Sequence, residues 1–154
     1  MKKIILLLLL PLLTNGQDNS EIIYYGKDFF RLEGTLIPDS LKENRYDRLP
    51  FSYKNIVRKP VWDLSKSSAG LSIRFISNST SISIKWKVFN DFTMNHMAET
   101  GIKGVDLYYK NENGWQYINT GRPEGIDNEY LLVDNMTEKL RAVSYTHLTL
   151  PTKA

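Results

Sequence analysis

The sequence predicts an all-β fold, an antiparallel β-sandwich of jelly-roll-like form with long loops. Three observations carry that prediction. The first is strict alternation in "LSIRFISNSTSISIKWKV", where Leu71, Ile73 and Phe75 share one face and Ser72 and Arg74 the other. After a turn at Asn78, Ser79 and Thr80 it resumes, with Ile82, Ile84, Trp86 and Val88 inward and Ser83, Lys85 and Lys87 outward. The second is the hairpin pattern of "VDLYYKNENGWQYIN". The third is the punctuation of short apolar runs by Gly, Asn and Pro at regular intervals.

In chain order, short strands are expected at 22–25 and 29–36, followed by a helical turn near 40–44. Pro38-Asp39-Ser40 opens that turn, with Asp39 or Ser40 as N-cap and Glu43 in the first turn. The region 54–68 reads as irregular. The strands 71–75 and 82–88 are expected to pair as a hairpin, and 90–103 reads as a second long connection. A turn over Asn111 to Gly114 would set Lys110 opposite Trp115, Tyr108 opposite Tyr117 and Leu107 opposite Ile118. A strand at 130–133 and a helical turn near 137–141 complete the expectation.

The two ends of the chain stand apart. "MKKIILLLLLPLLTNG" has two lysines, an apolar run from Ile4 to Leu13 and a short polar segment, the pattern of a secretory signal over 1–16. The run is too short for a spanning helix, so the destination expected is secreted or periplasmic, with no membrane span. At the other end, residues 143–152 resemble the in-frame translation of a sequencing-library adaptor. On that reading 17–142 is the domain, incomplete at its C-terminus and lacking its last strand or strands, and 143–154 is an artefact. Such a tail would pack weakly or fill the gap that a missing strand leaves.

Lys2, Lys3 and Lys153 supply the whole excess of 20 Lys+Arg over 17 Asp+Glu. Residues 17–142 therefore carry no net charge, and nothing points to nucleic acid as a partner. With no cysteine, the domain has no disulfide framework and depends on packing.

"IPDSLKE" comes one glycine short of a Gly-Asp-Ser-Leu esterase block, which makes Ser40 a candidate nucleophile. A serine nucleophile needs a base and an orienting group. His96 is the only histidine outside the tail, and no glycine-rich oxyanion loop follows Ser40. Ser40 is read as a decoy, and no catalytic residue is assigned. One histidine without cysteine cannot build a zinc site, and no EF-type spacing or phosphate loop is present, so neither metal nor cofactor is expected.

Two clusters remain. Asn90, Asp91, Asn95, His96 and Glu99 crowd a loop that also holds Phe92, Met94 and Met97; such a loop either packs under itself or lines a site. Tyr108, Trp115 and Tyr117, with Lys110, form an aromatic face that could stack on sugar rings or simply stabilise the sheet.

At these residues a family resemblance appears. "TGIKGVDLYYK", with Gly104, Asp106, Leu107 and Tyr108, resembles the Gly-x-Asp-Leu-Tyr signature of the N-terminal domain of bacterial SGNH (GDSL-type) hydrolases. "RYDRLP", "PVWDLSKSSAGLSIRF", "MNHMAETGIKG", "NTGRP" and "EYLLVDNM" look like further blocks of that domain in the same order. The resemblance implies a non-catalytic β-sandwich in front of the catalytic domain of a secreted serine esterase, acting on carbohydrate or related esters. It also implies that the nucleophile lies in a later Gly-rich block, with the Asp and His of the triad further on. The partner implied is that catalytic domain, and a carbohydrate ester the substrate. Asn90, Asp91, Asn95 and His96 are then expected to face the active site. The alternative is a freestanding carbohydrate-binding module using Tyr108, Trp115 and Tyr117.

Overall fold

The computed structural model describes residues 22–147 with the exception of Phe92. The expected signal at 1–16 and the tail beyond His147 lie outside the described residues. Among the described residues seven strands form two antiparallel sheets: β1 Leu32–Glu33, β2 Ser72–Ser77, β7 Arg141–His147, β4 Val105–Asn111 and β5 Gly114–Gly121 lie side by side in that order, and β3 Ile82–Lys87 pairs with β6 Asp127–Val133. The predicted class, an all-β antiparallel sandwich, is the one observed.

Alternation buries Ile73, Ile84 and Trp86, as the strand pattern predicts. Val105 and Leu107 are fully buried, and they pack with Ile84, Trp86, Leu132 and Val143 into one core between the sheets. The indole of Trp86 donates to the Lys103 carbonyl at 2.9 Å, so its polar edge is satisfied where its ring is buried.

The expected hairpin between β2 and β3 does not form. β2 pairs with β1 and β7, whereas β3 pairs with β6 in the other sheet, so residues 78–81 carry the chain across the core. Alternation specifies which face of a strand is buried and not which strand lies beside it, so the same pattern serves both arrangements. The β4–β5 hairpin has the expected pairs Lys110–Trp115 and Tyr108–Tyr117, then shifts register, so that Leu107 faces Asn119 instead of Ile118. This bulge keeps Leu107 in the core while Thr120 comes opposite Asp106 on the outer face.

Other boundaries move for local reasons. Residues 22–25 form no strand; the Tyr24 hydroxyl donates to Glu129 at 2.9 Å and its ring lies under Lys85. Of 29–36 only Leu32–Glu33 pairs, because Gly34 (φ +86°) turns the chain away and lets the Gly70 carbonyl approach where a Cβ would sit. The irregular regions each hold a short helix, α1 Lys59–Leu64, with Pro60 in its first turn, and α2 Glu99–Lys103. Residues 137–141 are not helical: the Arg141 guanidinium donates to the Thr137 carbonyl and hydroxyl, and Arg141 opens β7. The strand expected at 130–133 starts earlier, at Asp127.

The turn at Asp39–Leu41 forms, but Pro38 occupies the N-cap position and no side chain caps it. Asp39 pairs instead with Arg45 at 3.1 Å and Lys42 at 3.5 Å, since charged donors hold a carboxylate more strongly than an amide does. Glu43 likewise faces Lys54 and Lys66.

The described part of the tail fills a slot in the sheet. β7 runs between β2 and β4, Val143 is 2% and Ser144 6% exposed, and Val143 and Tyr145 alternate inward.

Candidate functional site

Strand direction gathers the long connections at one end of the sandwich. Near its close, β7 lies beside the starts of β2 and β4, with Thr146 opposite Ser72 and Asp106, and His147 opposite Val105. β5 ends there too, with Gly121 opposite Val105. The connections 34–71, 88–104 and 122–126 therefore enter or leave the sheets at this end, and Val88 donates its amide to Ile126 at 2.9 Å. The opposite end carries 78–81, the 112–113 turn and 134–140, joined by the Met136 amide on Thr80.

The 88–104 connection is tied down by Lys103. Its side chain is 4% exposed, with the ammonium 2.5 Å from Asp91 and 3.7 Å from Glu99. Asp91 is thus held by a cation that the sequence reading overlooked; the Glu99–Lys103 spacing of one helical turn was the available signal. Asn95 and His96 are both exposed, and the imidazole Nδ1 lies 3.0 Å from the Asn95 amide oxygen. Asn90 is exposed at the start of the same loop. Of the four candidates, then, Asn95 and His96 meet each other and Asp91 faces α2.

The four signature residues divide their work between core and surface. Gly104 lets α2 close onto β4: a Cβ there would lie 2.3 Å from the Thr100 carbonyl oxygen and 3.1 Å from that of Gly121. Leu107 enters the core, while Asp106 and Tyr108 point to the outer face. Asp106 is nonetheless 5% exposed, and its carboxylate accepts hydrogen bonds from the Thr120 hydroxyl and, at 3.3 Å, from the Tyr108 hydroxyl. Tyr117 lies 2.9 Å from Thr120 and extends the chain of hydroxyls. Burial raises the Tyr108 phenol above its ordinary range, and the neighbouring Asp106 charge adds to the effect.

Around this network lies the expected aromatic face. Tyr108 meets Tyr117 edge-on at 5.8 Å, and the Arg74 guanidinium stacks over Trp115 at 5.3 Å while also facing Glu33. Trp115 and Tyr117 remain 37% and 56% exposed, so both reach solvent. The sequence placed these aromatics on one face; the bulge that brings Thr120 to Asp106 was not legible there.

Ser40 is exposed in its turn, and among the described residues no hydrogen bond joins it to His96. No group of three or more acidic, His or Cys side chains suited to a metal occurs among the described residues. None of their helices is long and apolar enough to cross a membrane. The same connection holds an ion-pair cluster instead: Lys66 bridges Glu43 and the buried Asp47, each at 2.6 Å, above the Trp62 ring. Burial opposes the Lys66 charge, but the bonds to Asp47 and Glu43 outweigh it and raise its pKa.

Hydrogen bonds from Lys54 and Lys66 lower the Glu43 pKa from 4.5 to about 2. A carboxylate depressed on folding adds stability that is present above pH 4.5 and lost as the pH falls through about 2. Glu43→Gln is therefore expected to flatten the acid limb of the stability curve across that window, measured by urea unfolding. An unaltered acid limb would contradict the assignment.

The comparisons with known proteins bear on the family and the fold. The family described as "GxDLY: N-terminus of Esterase_SGNH_hydro-type" matches residues 23–152. The crystal structure of a protein described as a GDSL-like lipase from Bacteroides ovatus is similar, with 30% identity and a TM-score of 0.69. The match covers 75% of this chain and 33% of that one, so the chain spans about a third of the lipase's length. No curated protein matches. The chain belongs to the GxDLY family, the domain found at the N-terminus of SGNH-type esterases.

Proposed function

We propose that this chain is the non-catalytic N-terminal accessory domain of a secreted SGNH-type esterase that acts on carbohydrate or related esters. In the intact enzyme a serine of the following domain attacks the ester carbonyl, a histidine serves as base and then acid, and backbone or Asn donors hold the oxyanion. The present domain supplies one wall of that site through the loop bearing Asn95 and His96. The observation that carries this reading is the family match over residues 23–152; the wall assignment is supported by strand direction, since the 88–104 connection leaves the sheets at the end toward which β7 runs.

Replacing Asn95 and His96 together by Ala in the full-length enzyme is expected to lower turnover roughly ten- to hundredfold without unfolding, as misplacement of a substrate-positioning wall does. Both side chains are exposed, so the fold should tolerate the change. Unchanged kinetics would overturn the wall assignment. Sugar affinity that persists in the 154-residue chain and disappears in Trp115→Ala would favour the freestanding binding module instead.

A further inference from the structure

A feature of the 34–71 connection bears on how the two domains meet. Residues Phe51, Tyr53 and Ile56 are 53%, 44% and 75% exposed, on a short stretch of the 34–71 connection. Large apolar side chains left exposed this close together in the chain offer a contact surface to another body. Their turn is already formed: the Tyr53 amide donates to Pro50, Lys54 to Phe51, and Ile56 and Val57 both to Tyr53. Lys54, itself exposed, braces it, with its ammonium 5.3 Å from the Phe51 ring centre, 5.9 Å from that of Trp62 and 2.8 Å from Glu43. A surface ordered before contact loses little conformational entropy on docking.

We infer that Phe51, Tyr53 and Ile56 form the docking knob for the SGNH catalytic domain that follows this one. The inference rests on the accessory-domain reading above. Two facts select this occupant. The Bacteroides ovatus lipase has about two thirds of its length outside the match, so a body larger than this domain has to be accommodated. The 34–71 connection leaves β1 and enters β2 at the end toward which β7 runs, the end nearer the chain that follows. Exposed Arg58 and Lys59 border the knob, so the facing surface is expected to be apolar with acidic groups at its margin.

Hydroxyl-radical footprinting of the 154-residue chain and of the intact esterase tests this directly. Labelling of Phe51, Tyr53 and Ile56 is expected to fall at least about fivefold in the intact enzyme, the scale of full desolvation of an interface core. Leu140, 69% exposed at the opposite end, should label equally in both. As a second arm, Ile56→Ser should leave the melting temperature of the short chain unchanged and lower that of the intact enzyme. An active esterase whose 51–56 side chains label as fast as in the short chain overturns the docking assignment and leaves the accessory-domain reading standing. A gene with no hydrolase domain after this one overturns both. Protection already present in the short chain and growing with its concentration would assign the knob to a second copy, and would also overturn the inference.

Discussion

Ending the chain at Ala142 is expected to abolish cooperative folding. The deletion removes most of β7, the strand that joins β2 to β4, and so splits the five-stranded sheet into two separate pairs, β1–β2 and β4–β5. It also withdraws Val143 from the core and Tyr145 from its edge. Burying one such side chain is worth about 1.5–3 kcal/mol, and two facing strands would be left with unpaired edges. Together these losses are comparable with the roughly 5–15 kcal/mol that holds a typical domain folded. Circular dichroism with thermal melting is the check. A monomeric, cooperative melt of the 1–142 chain would show that β7 is dispensable and would contradict the topology.

Leu107→Ala is expected to cost about 2–5 kcal/mol, since truncating a fully buried side chain adds a cavity to the lost transfer energy. Its neighbours Val105, Trp86 and Leu132 belong to sheets held by their own ladders, so they can close the space only in part. Leu131→Ala, at a half-exposed position on β6, should change stability by less than about 0.5 kcal/mol. Urea unfolding with an unchanged slope measures both. A loss below about 1 kcal/mol at Leu107 would mean that the Leu of the signature is not the core residue described.

These two substitutions also show what kind of information the sequence carries. The inward set Ile73, Ile84 and Trp86 was legible because a strand buries every second residue. Their partners were not: β2 and β3 read as a hairpin and lie in different sheets, because alternation constrains faces and leaves pairing to long-range packing. The position of Val143 to His147 illustrates the same limit from the other side. Their alternation suits a strand, and the central slot between β2 and β4 accepts it with Val143 and Tyr145 inward, whatever the origin of those residues.

The candidate site was legible in a comparable measure. The polar loop of Asn90, Asp91, Asn95 and His96 and the aromatic set Tyr108, Trp115 and Tyr117 each lie together on one element or face. Lys103 holding Asp91, and Thr120 donating to Asp106, escaped the reading. The first needs a tertiary closure of the loop onto α2, and the second a register shift that no local pattern announces.

The central claim, that this domain is the front of an SGNH-type esterase, is tested most directly by sequencing the source gene through codon 142 and onward. The account predicts an open frame whose next residues are apolar at positions 143 and 145, to suit the β7 slot. That frame should continue into a Gly-rich block with a serine, and later an Asp and a His. An authentic stop codon close to Arg141 would contradict it.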